Sequence, residues 1–221
     1  MIQNPKIFTL FMLITFFAHT KTNACCDLSV GDAVADGKSV GDAVRVLNLK
    51  DQYFSTAEFN AQLKRCGEKL KTLELSNARL NGSRINDANI NDIIKNCPGL
   101  QMLYLRDSDI TDVGFNEITT KLPNLVLLNC DDCSKLECPC FPETSNLKEV
   151  HLDSCSGLTN ASLENFKAAR YLDSLYLENN LQHIGENELI ALEKYFIKNP
   201  IWFHRCQVHF RAPEIPQAFW P

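Results

Sequence analysis

The sequence lacks any hydrophobic run that is long enough to cross a membrane. Its longest apolar stretch is the segment from Ile7 to Ala18, which as a helix spans only about 18 Å, whereas the core of a bilayer is about 30 Å thick. The segment follows Lys6 and precedes the polar residues HTKTNA, an order that is typical of a secretory signal peptide. We therefore predict a signal peptide over residues 1–24, a secreted protein, and no membrane span in the mature chain.

Arginine is absent from the first 24 residues, and basic residues are in deficit overall. A mitochondrial presequence is rich in Arg, so this composition favours secretion. The alternative is an intracellular or mitochondrial protein in which residues 7–18 act as an anchor or an import signal. The chain has 22 Lys and Arg residues against 27 Asp and Glu residues, and removal of the signal peptide takes away two of the lysines. No basic stripe remains, which excludes nucleic acid as an expected partner.

Motifs of the common enzyme classes are also missing. The sequence has no G-x-S-x-G, no phosphate-binding glycine loop and no H-E-x-x-H. His151 near Asp153 is a candidate general base, but a recognition residue on an exposed surface is the better interpretation. We therefore expect no enzymatic activity, no cofactor and no bound metal.

With 221 residues, 45% of them hydrophobic, the chain has enough apolar material for one globular core.

An apolar spacing of +0, +3 and +5 recurs six times along the chain. Its starting residues are Val44, Leu70, Leu100, Leu125, Leu147 and Leu172. The steps between these starts are 26, 30, 25, 22 and 25 residues. A near-constant step of this size indicates an internal repeat in which each unit is one supersecondary element.

The second half of each unit has apolar residues three and four positions apart, as in Phe115, Ile118 and Leu122. This spacing predicts a short helix. The expected N-caps of these helices are Asp87, Asp112 and Asn160. Ser55 and Glu58 form a capping-box pattern ahead of the first helix.

Because no strand–turn–helix unit buries its apolar side alone, the units must stack. We predict an α/β, right-handed solenoid of about six repeats, with parallel strands on a concave face and short helices on a convex face.

The pattern L-x-x-L-x-L, followed by a helix every 25 or so residues, resembles leucine-rich repeats. The stretch "CPGLQMLYL" followed by "ITD" resembles the cysteine-containing subtype of F-box adaptor proteins. The resemblance covers residues 44–198, with residues 25–43 as an N-terminal cap and residues 199–221 as a C-terminal cap and tail. It implies a protein-binding module. Residues 25–43 are too few for an F-box, so a relative of ubiquitin-ligase adaptors that lacks this module stays an alternative.

The side chains between the buried leucines point to the opposite face of each strand, and we predict that they form the binding surface. The candidate binding residues are Tyr104, Arg106, Asn129, Asp131, His151, Asp153, Tyr176 and Glu178. Aromatic side chains among carboxylates suit a protein or peptide with a basic surface. The alternative interpretation is the ordinary polar covering of an exposed sheet.

The ten cysteines lie outside the predicted signal peptide. Cys133 and Cys155 each follow a predicted strand by three residues, so they are either a candidate disulfide or two thiols in a ladder of stacked units. A zinc site formed by Cys130, Cys133, Cys138 and Cys140 is disfavoured, because Cys130 fills an inward Leu position and Cys133 a ladder position. Two sequons, at Asn81 and Asn160, are candidate glycosylation sites.

Overall fold

The computed structural model of the chain describes residues 45–142, 145–169, 171–180, 182–198 and 207–209. The predicted signal peptide, the predicted N-terminal cap and most of the predicted C-terminal cap lie outside these residues, and those assignments stay predictions. Within the described part of the chain, no helix combines the length and the apolar character that crossing a bilayer requires.

Strands and helices alternate along the described residues in an α/β arrangement. The strands are β1 (Val46–Asn48), β2 (Tyr53–Phe54), β3 (Thr72–Glu74), β4 (Arg79–Leu80), β5 (Ser83–Arg84), β6 (Met102–Tyr104), β7 (Leu127–Asn129), β8 (Glu149–His151), β9 (Ser174–Tyr176) and β10 (Gln207–His209). The helices are α1 (Thr56–Cys66), α2 (Asp87–Asn96), α3 (Asp112–Lys121), α4 (Ser162–Phe166) and α5 (Glu186–Lys198), and a 3₁₀ turn, Gly67–Lys69, follows α1.

The main sheet has seven parallel strands, and their spatial order, β1-β3-β6-β7-β8-β9-β10, follows the order of the chain. Each central strand residue pairs with the central residue of the next strand, as Leu73 does with Leu103 and Leu103 with Leu128. The six predicted strands and their common phase are confirmed. The seventh strand, β10, pairs with β9 inside the region that the sequence predicted as a terminal cap.

One face of the main sheet carries the core. The residues at +0, +3 and +5 of the repeat that the structure describes are buried, among them Leu100, Leu103 and Leu105, each with no exposed surface. The apolar residues of the helices, such as Phe115 and Ile118 of α3, belong to the same buried cluster. The predicted spacing therefore identifies the core correctly, because a short strand and a helix present their apolar residues to one shared interface.

The helix starts differ from the sequence prediction by one residue. The N-caps of α2 and α3 are Asn86 and Thr111, each bonded through its side chain to a backbone N–H of its helix, and α4 begins after Ala161 without a side-chain cap. The predictions of Asp87, Asp112 and Asn160 as N-caps are wrong. The capping box of Ser55 and Glu58 is confirmed.

The three residues that were wrongly predicted as N-caps each accept a hydrogen bond from a backbone N–H of the next unit. The carboxylate of Asp87 accepts the Thr111 N–H at 2.9 Å, and the Asp112 carboxylate accepts the Cys138 N–H at 2.9 Å. Asn160 Oδ1 accepts the Gly185 N–H at 2.9 Å. Each side chain thus bonds the backbone one step further along the sheet, which connects neighbouring units on the helix side.

A left-handed residue follows each of six strands of the main sheet. These residues are Asp51, Asn77, Asp107, Asp132, Ser154 and Asn179, with φ between 57° and 62°. Asn and Asp tolerate this conformation better than most side chains. The backbone N–H groups of the first five of these residues also donate to the next unit, as Asp107 N does to Asp131 O. The turn redirects the chain from the sheet toward the helix side.

A second, three-stranded sheet lies beside the main one in the order β2-β4-β5. Strands β4 and β5 form an antiparallel hairpin whose two loop residues, Asn81 and Gly82, both have positive φ. This is the geometry of a two-residue hairpin turn that Asn-Gly favours. The sequon at Asn81 therefore lies at an exposed hairpin tip.

Candidate functional site

The face of the main sheet opposite the buried leucines is called the outer face here. The register places Asn48, Glu74, Tyr104, Asn129, His151 and Tyr176 in one column across six strands. Four of the predicted binding residues, Tyr104, Asn129, His151 and Tyr176, therefore share this column. Of the eight candidate binding residues, Arg106 and Glu178 are exposed and the other six are partly buried, so all of them contribute to the surface.

An aromatic pair lies at one end of this column. The rings of His151 and Tyr176 stack with their centroids 4.1 Å apart and an interplanar angle of 9°. His151 Nε2 lies 2.7 Å from Glu149 Oε1 on the same strand. The imidazole is therefore fixed by Glu149 at its edge and by Tyr176 against its face. The sequence placed His151 near Asp153. It did not identify Glu149, whose contact fixes the orientation of the ring.

Carboxylates border the column and connect adjacent strands. Asp131 Oδ1 accepts the Asp153 N–H at 2.9 Å, and Asp153 Oδ1 accepts the Glu178 N–H at 2.6 Å. Asn129 Nδ2 donates to Asp131 Oδ2 at 2.8 Å. These bonds fix the directions of both aspartates, which leaves a row of oriented negative charge beside the aromatic pair.

Burial and neighbouring carboxylates raise the pKa of two groups on the outer face, Asp153 and Tyr104. Burial raises the pKa of Asp153 from 3.8 to about 6, and the charges of Asp131 and Glu178 add to the shift, against the hydrogen bond from the Glu178 N–H and the charge of His151. Tyr104 lies in similar surroundings, and burial, together with the charges of Glu74 and Glu149, raises its pKa. Negative charge therefore accumulates over this part of the outer face.

A cavity of about 460 Å³ opens beside the row at the left-handed turns. Three of the predicted binding residues, Arg106, Asn129 and Asp131, line it together with turn residues. Arg106 Nε donates to Asp132 Oδ2 at 2.8 Å, so its guanidinium lies over the neighbouring turn. The cavity is polar and carries both charge signs, which suits a peptide or a protein loop better than an apolar ligand.

A second outward column, which the sequence interpretation did not include, lies beside the first. The first residues of the strands, Val46, Thr72, Met102, Leu127, Glu149 and Ser174, are in register and are exposed or partly buried. Met102 is 40% exposed, and its sulfur lies 4.0 Å from the Tyr104 hydroxyl. The sequence contains the information needed to predict this column, because residues two positions apart on a strand point to the same face of the sheet. This column adds apolar surface next to Tyr104.

Three side chains of the outer face have the geometry for a shared cation. Ligand atoms of Asp131, His151 and Asp153 lie within 4.8 Å of one another. All three already have the contacts within the outer face given above. The cluster can therefore serve as an acidic recognition surface without an ion.

Cys133 and Cys155 are buried thiols. Cys133 Sγ donates to Leu105 O at 3.4 Å, and Cys155 Sγ donates to Cys130 O at 3.1 Å. Asn180 makes the equivalent bond to Leu152 O at 2.8 Å. The contacts are those of the thiol-ladder interpretation, in which a donor after each strand bonds the backbone of the preceding unit. Burial raises the pKa of the Cys155 thiol, which further favours its protonated, donating form.

Both candidate glycosylation sites are exposed. Asn81 Nδ2 donates to Thr56 Oγ1 at 2.8 Å from its hairpin tip, whereas Asn160 uses its Oδ1 to hold Gly185. The sequon of Asn81 is completed by the exposed Ser83, whereas that of Asn160 is completed by the fully buried Ser162, so the sequon at Asn81 is the more accessible of the two.

Comparison with known proteins finds no family model that matches the chain and no curated protein that matches it.

Proposed function

We propose that this chain is a secreted leucine-rich-repeat solenoid that binds another protein through the outer, concave face of its main sheet. The solenoid is supported by seven parallel strands in chain order and by a helix after most of them. The single observation that carries the functional proposal is the oriented aromatic and acidic surface around the stack of His151 and Tyr176.

This surface has the composition of a recognition site. Tyrosine is enriched among the residues that dominate binding energy, because it buries a large rigid area and keeps a polar hydroxyl. Met102 and Tyr104 supply apolar contact area, and Asp131 and Asp153 supply negative charge beside it. A partner with a basic, partly apolar loop complements this arrangement.

The partner's position on the fold can be tested directly. A photo-crosslinking residue is introduced in place of Tyr104, and in a matched protein in place of Glu164, a 71%-exposed side chain on α4. Both proteins are secreted from eukaryotic cells and irradiated in the extracellular medium. The proposal predicts a discrete adduct to a basic protein only from position 104. Equal adducts from both positions, or an adduct from position 164 alone, contradict it.

A second candidate, an intracellular or mitochondrial scaffold or adaptor relative without an F-box, is favoured by one observation. All seven cysteines of the described residues are thiols, as expected in a reducing compartment. The N-terminal residue of the natural protein separates the two candidates. A start near Cys25 supports secretion, and a retained segment 7–18 supports the scaffold.

A further inference from the structure

The turn Cys138-Pro139-Cys140 lies on the helix side, away from the outer face. Among the seven cysteines that the structure describes, only Cys138 and Cys140 are exposed. Pro139, between them, is buried, so the middle of the turn packs against the protein while the two flanking cysteines are exposed to solvent. The turn belongs to the unit with the shortest repeat step, where no helix forms between β7 and β8 among the described residues. It fills the space between α3 and α4.

The backbone of this turn is held by side chains of α3. The Cys138 N–H donates to the Asp112 carboxylate at 2.9 Å, and the Cys140 N–H donates to Asn116 Oδ1 at 2.9 Å. The next residue, Phe141, packs edge-on against Phe115 and Phe166, with centroid distances of 5.4 and 5.6 Å. None of these contacts uses sulfur, so a change in the chemical state of the cysteines leaves them available, whereas the weak contact of Cys140 Sγ with Cys138 O at 3.7 Å would be lost.

Both sulfurs converge on one amide nitrogen. Asn165 Nδ2 lies 3.0 Å from Cys138 Sγ and 3.3 Å from Cys140 Sγ. The Cα atoms of residues two apart are separated by at most about 7 Å, close to the range that a disulfide spans. The ring of Pro139 fixes the φ angle of the residue between the two cysteines. Fewer backbone conformations are therefore lost when a disulfide forms. Because both sulfurs lie within 3.3 Å of the same nitrogen, they are at most about 6.3 Å apart.

We propose that Cys138 and Cys140 form a thiol–disulfide couple that exchanges with small disulfides of the class to which oxidised glutathione belongs. The Cys138 thiolate attacks one sulfur of the external disulfide, the S–S bond breaks, and the released thiolate takes up the proton that Cys138 lost. Cys140 then attacks Cys138 Sγ, displaces the second external thiolate and supplies its proton. Two protein thiols are oxidised to one disulfide, and one external disulfide is reduced to two thiols.

The order of the two steps follows from the surroundings of each sulfur. Partial burial raises the pKa of Cys140, and the charges of Cys138 and Asp112 raise it further. Because the thiolate is the attacking species, Cys138, with the shorter bond from Asn165, attacks first and Cys140 resolves the mixed disulfide. Asn165 is a positioning residue whose amide donates to either sulfur.

The test uses the reduced full chain, oxidised glutathione and peptide mapping by mass spectrometry. Wild type should lose two thiols at Cys138 and Cys140 and carry no lasting glutathione adduct. Cys140→Ser should keep one glutathione on Cys138, and Cys138→Ser should react about tenfold more slowly. Asn165→Ala should slow closure of the disulfide, whereas the matched control Asn91→Ala, an exposed Asn on α2, should not. The buried Cys97, Cys130, Cys133 and Cys155 are internal controls and should stay thiols.

Three results overturn the proposal: stable glutathione adducts on both cysteines of wild type, no reaction at either, or pairing of Cys138 with a different cysteine. Circular dichroism of each variant establishes that it is folded before its reaction is scored. The couple lies on the helix side and the proposed binding surface on the outer face. Failure of this proposal is therefore distinguishable from failure of the proposed function.

Discussion

The imidazole of His151 lies flat against the phenol ring of Tyr176, with their centroids 4.1 Å apart. The two residues are direct neighbours in the parallel register of β8 and β9. Glu149 Oε1, 2.7 Å from Nε2, fixes the remaining freedom of the imidazole. The aromatic surface is therefore ordered in the chain itself, which would lower the entropy cost of the proposed binding.

The first prediction concerns the core. Leu103 is the central residue of β6 and has no exposed surface. Leu103→Asp places a carboxylate in this apolar interface and should lower the free energy of unfolding by about 3 kcal/mol or more. Chemical denaturation measures the loss. Gln101→Asp, an exposed position just before the same strand, is the control and should unfold like wild type. A Leu103→Asp protein that unfolds at wild-type denaturant concentration contradicts the strand register.

The second prediction concerns pH. Because the pKa of Asp153 in the folded state, about 6, lies above its ordinary value of 3.8, folding favours the protonated form. The resulting stability is fully present below about pH 4 and is lost as the pH rises through 6. Asp153→Asn keeps an Oδ1 acceptor for the Glu178 N–H and cannot ionise. The variant should therefore gain up to about 1 kcal/mol over wild type between pH 4 and 7, since partial exposure screens the effect.

Thermal or urea unfolding across this pH range measures the difference between the two proteins. A difference between Asp153→Asn and wild type that stays constant with pH would show that Asp153 titrates in its ordinary range.

The third prediction concerns glycan. Ser83→Ala removes the sequon at Asn81 without altering the two residues of the hairpin turn. If the protein is secreted from eukaryotic cells, glycosidase treatment should reduce the mass of wild type, and Ser83→Ala should remove most of that reduction. Ser162→Ala, which removes the sequon at Asn160, should have the smaller effect. No mass change in wild type would count against secretion or against use of both sequons.

The sequence was sufficient to predict the sheet and its phase. Burial at +3 and +5 follows directly from side-chain alternation along a strand, and burial at +0 follows from the need of each unit to bury its leucines. The outward column that contains Tyr104 and His151 follows from the same alternation. These features are local and periodic, and a single sequence carries both kinds of information.

Other features depend on contacts between units. Asp87 and Asp112 look like N-caps by residue type, yet Asn86 and Thr111 cap the helices because the aspartates bond the next unit instead. Strands β2, β4 and β5 have two residues each and are too short to give a periodic signal, and β10 lies outside the six recurrences of the +0, +3 and +5 spacing. The bond between Glu149 and His151 likewise depends on side-chain conformations that spacing does not specify.

The most direct test of the central claim is the affinity of the crosslinked partner, once identified and purified, for variants of the two faces, measured by titration calorimetry. Tyr104→Ala and Tyr176→Ala should each weaken binding by about 1–3 kcal/mol with little change in stability. In a stopped-flow measurement of the association rate, Asp131→Lys with Asp153→Lys should slow association and reduce its salt dependence. Glu164→Lys, on α4, should bind like wild type. Loss of binding by Glu164→Lys, together with wild-type affinity of the outer-face variants, would contradict the account.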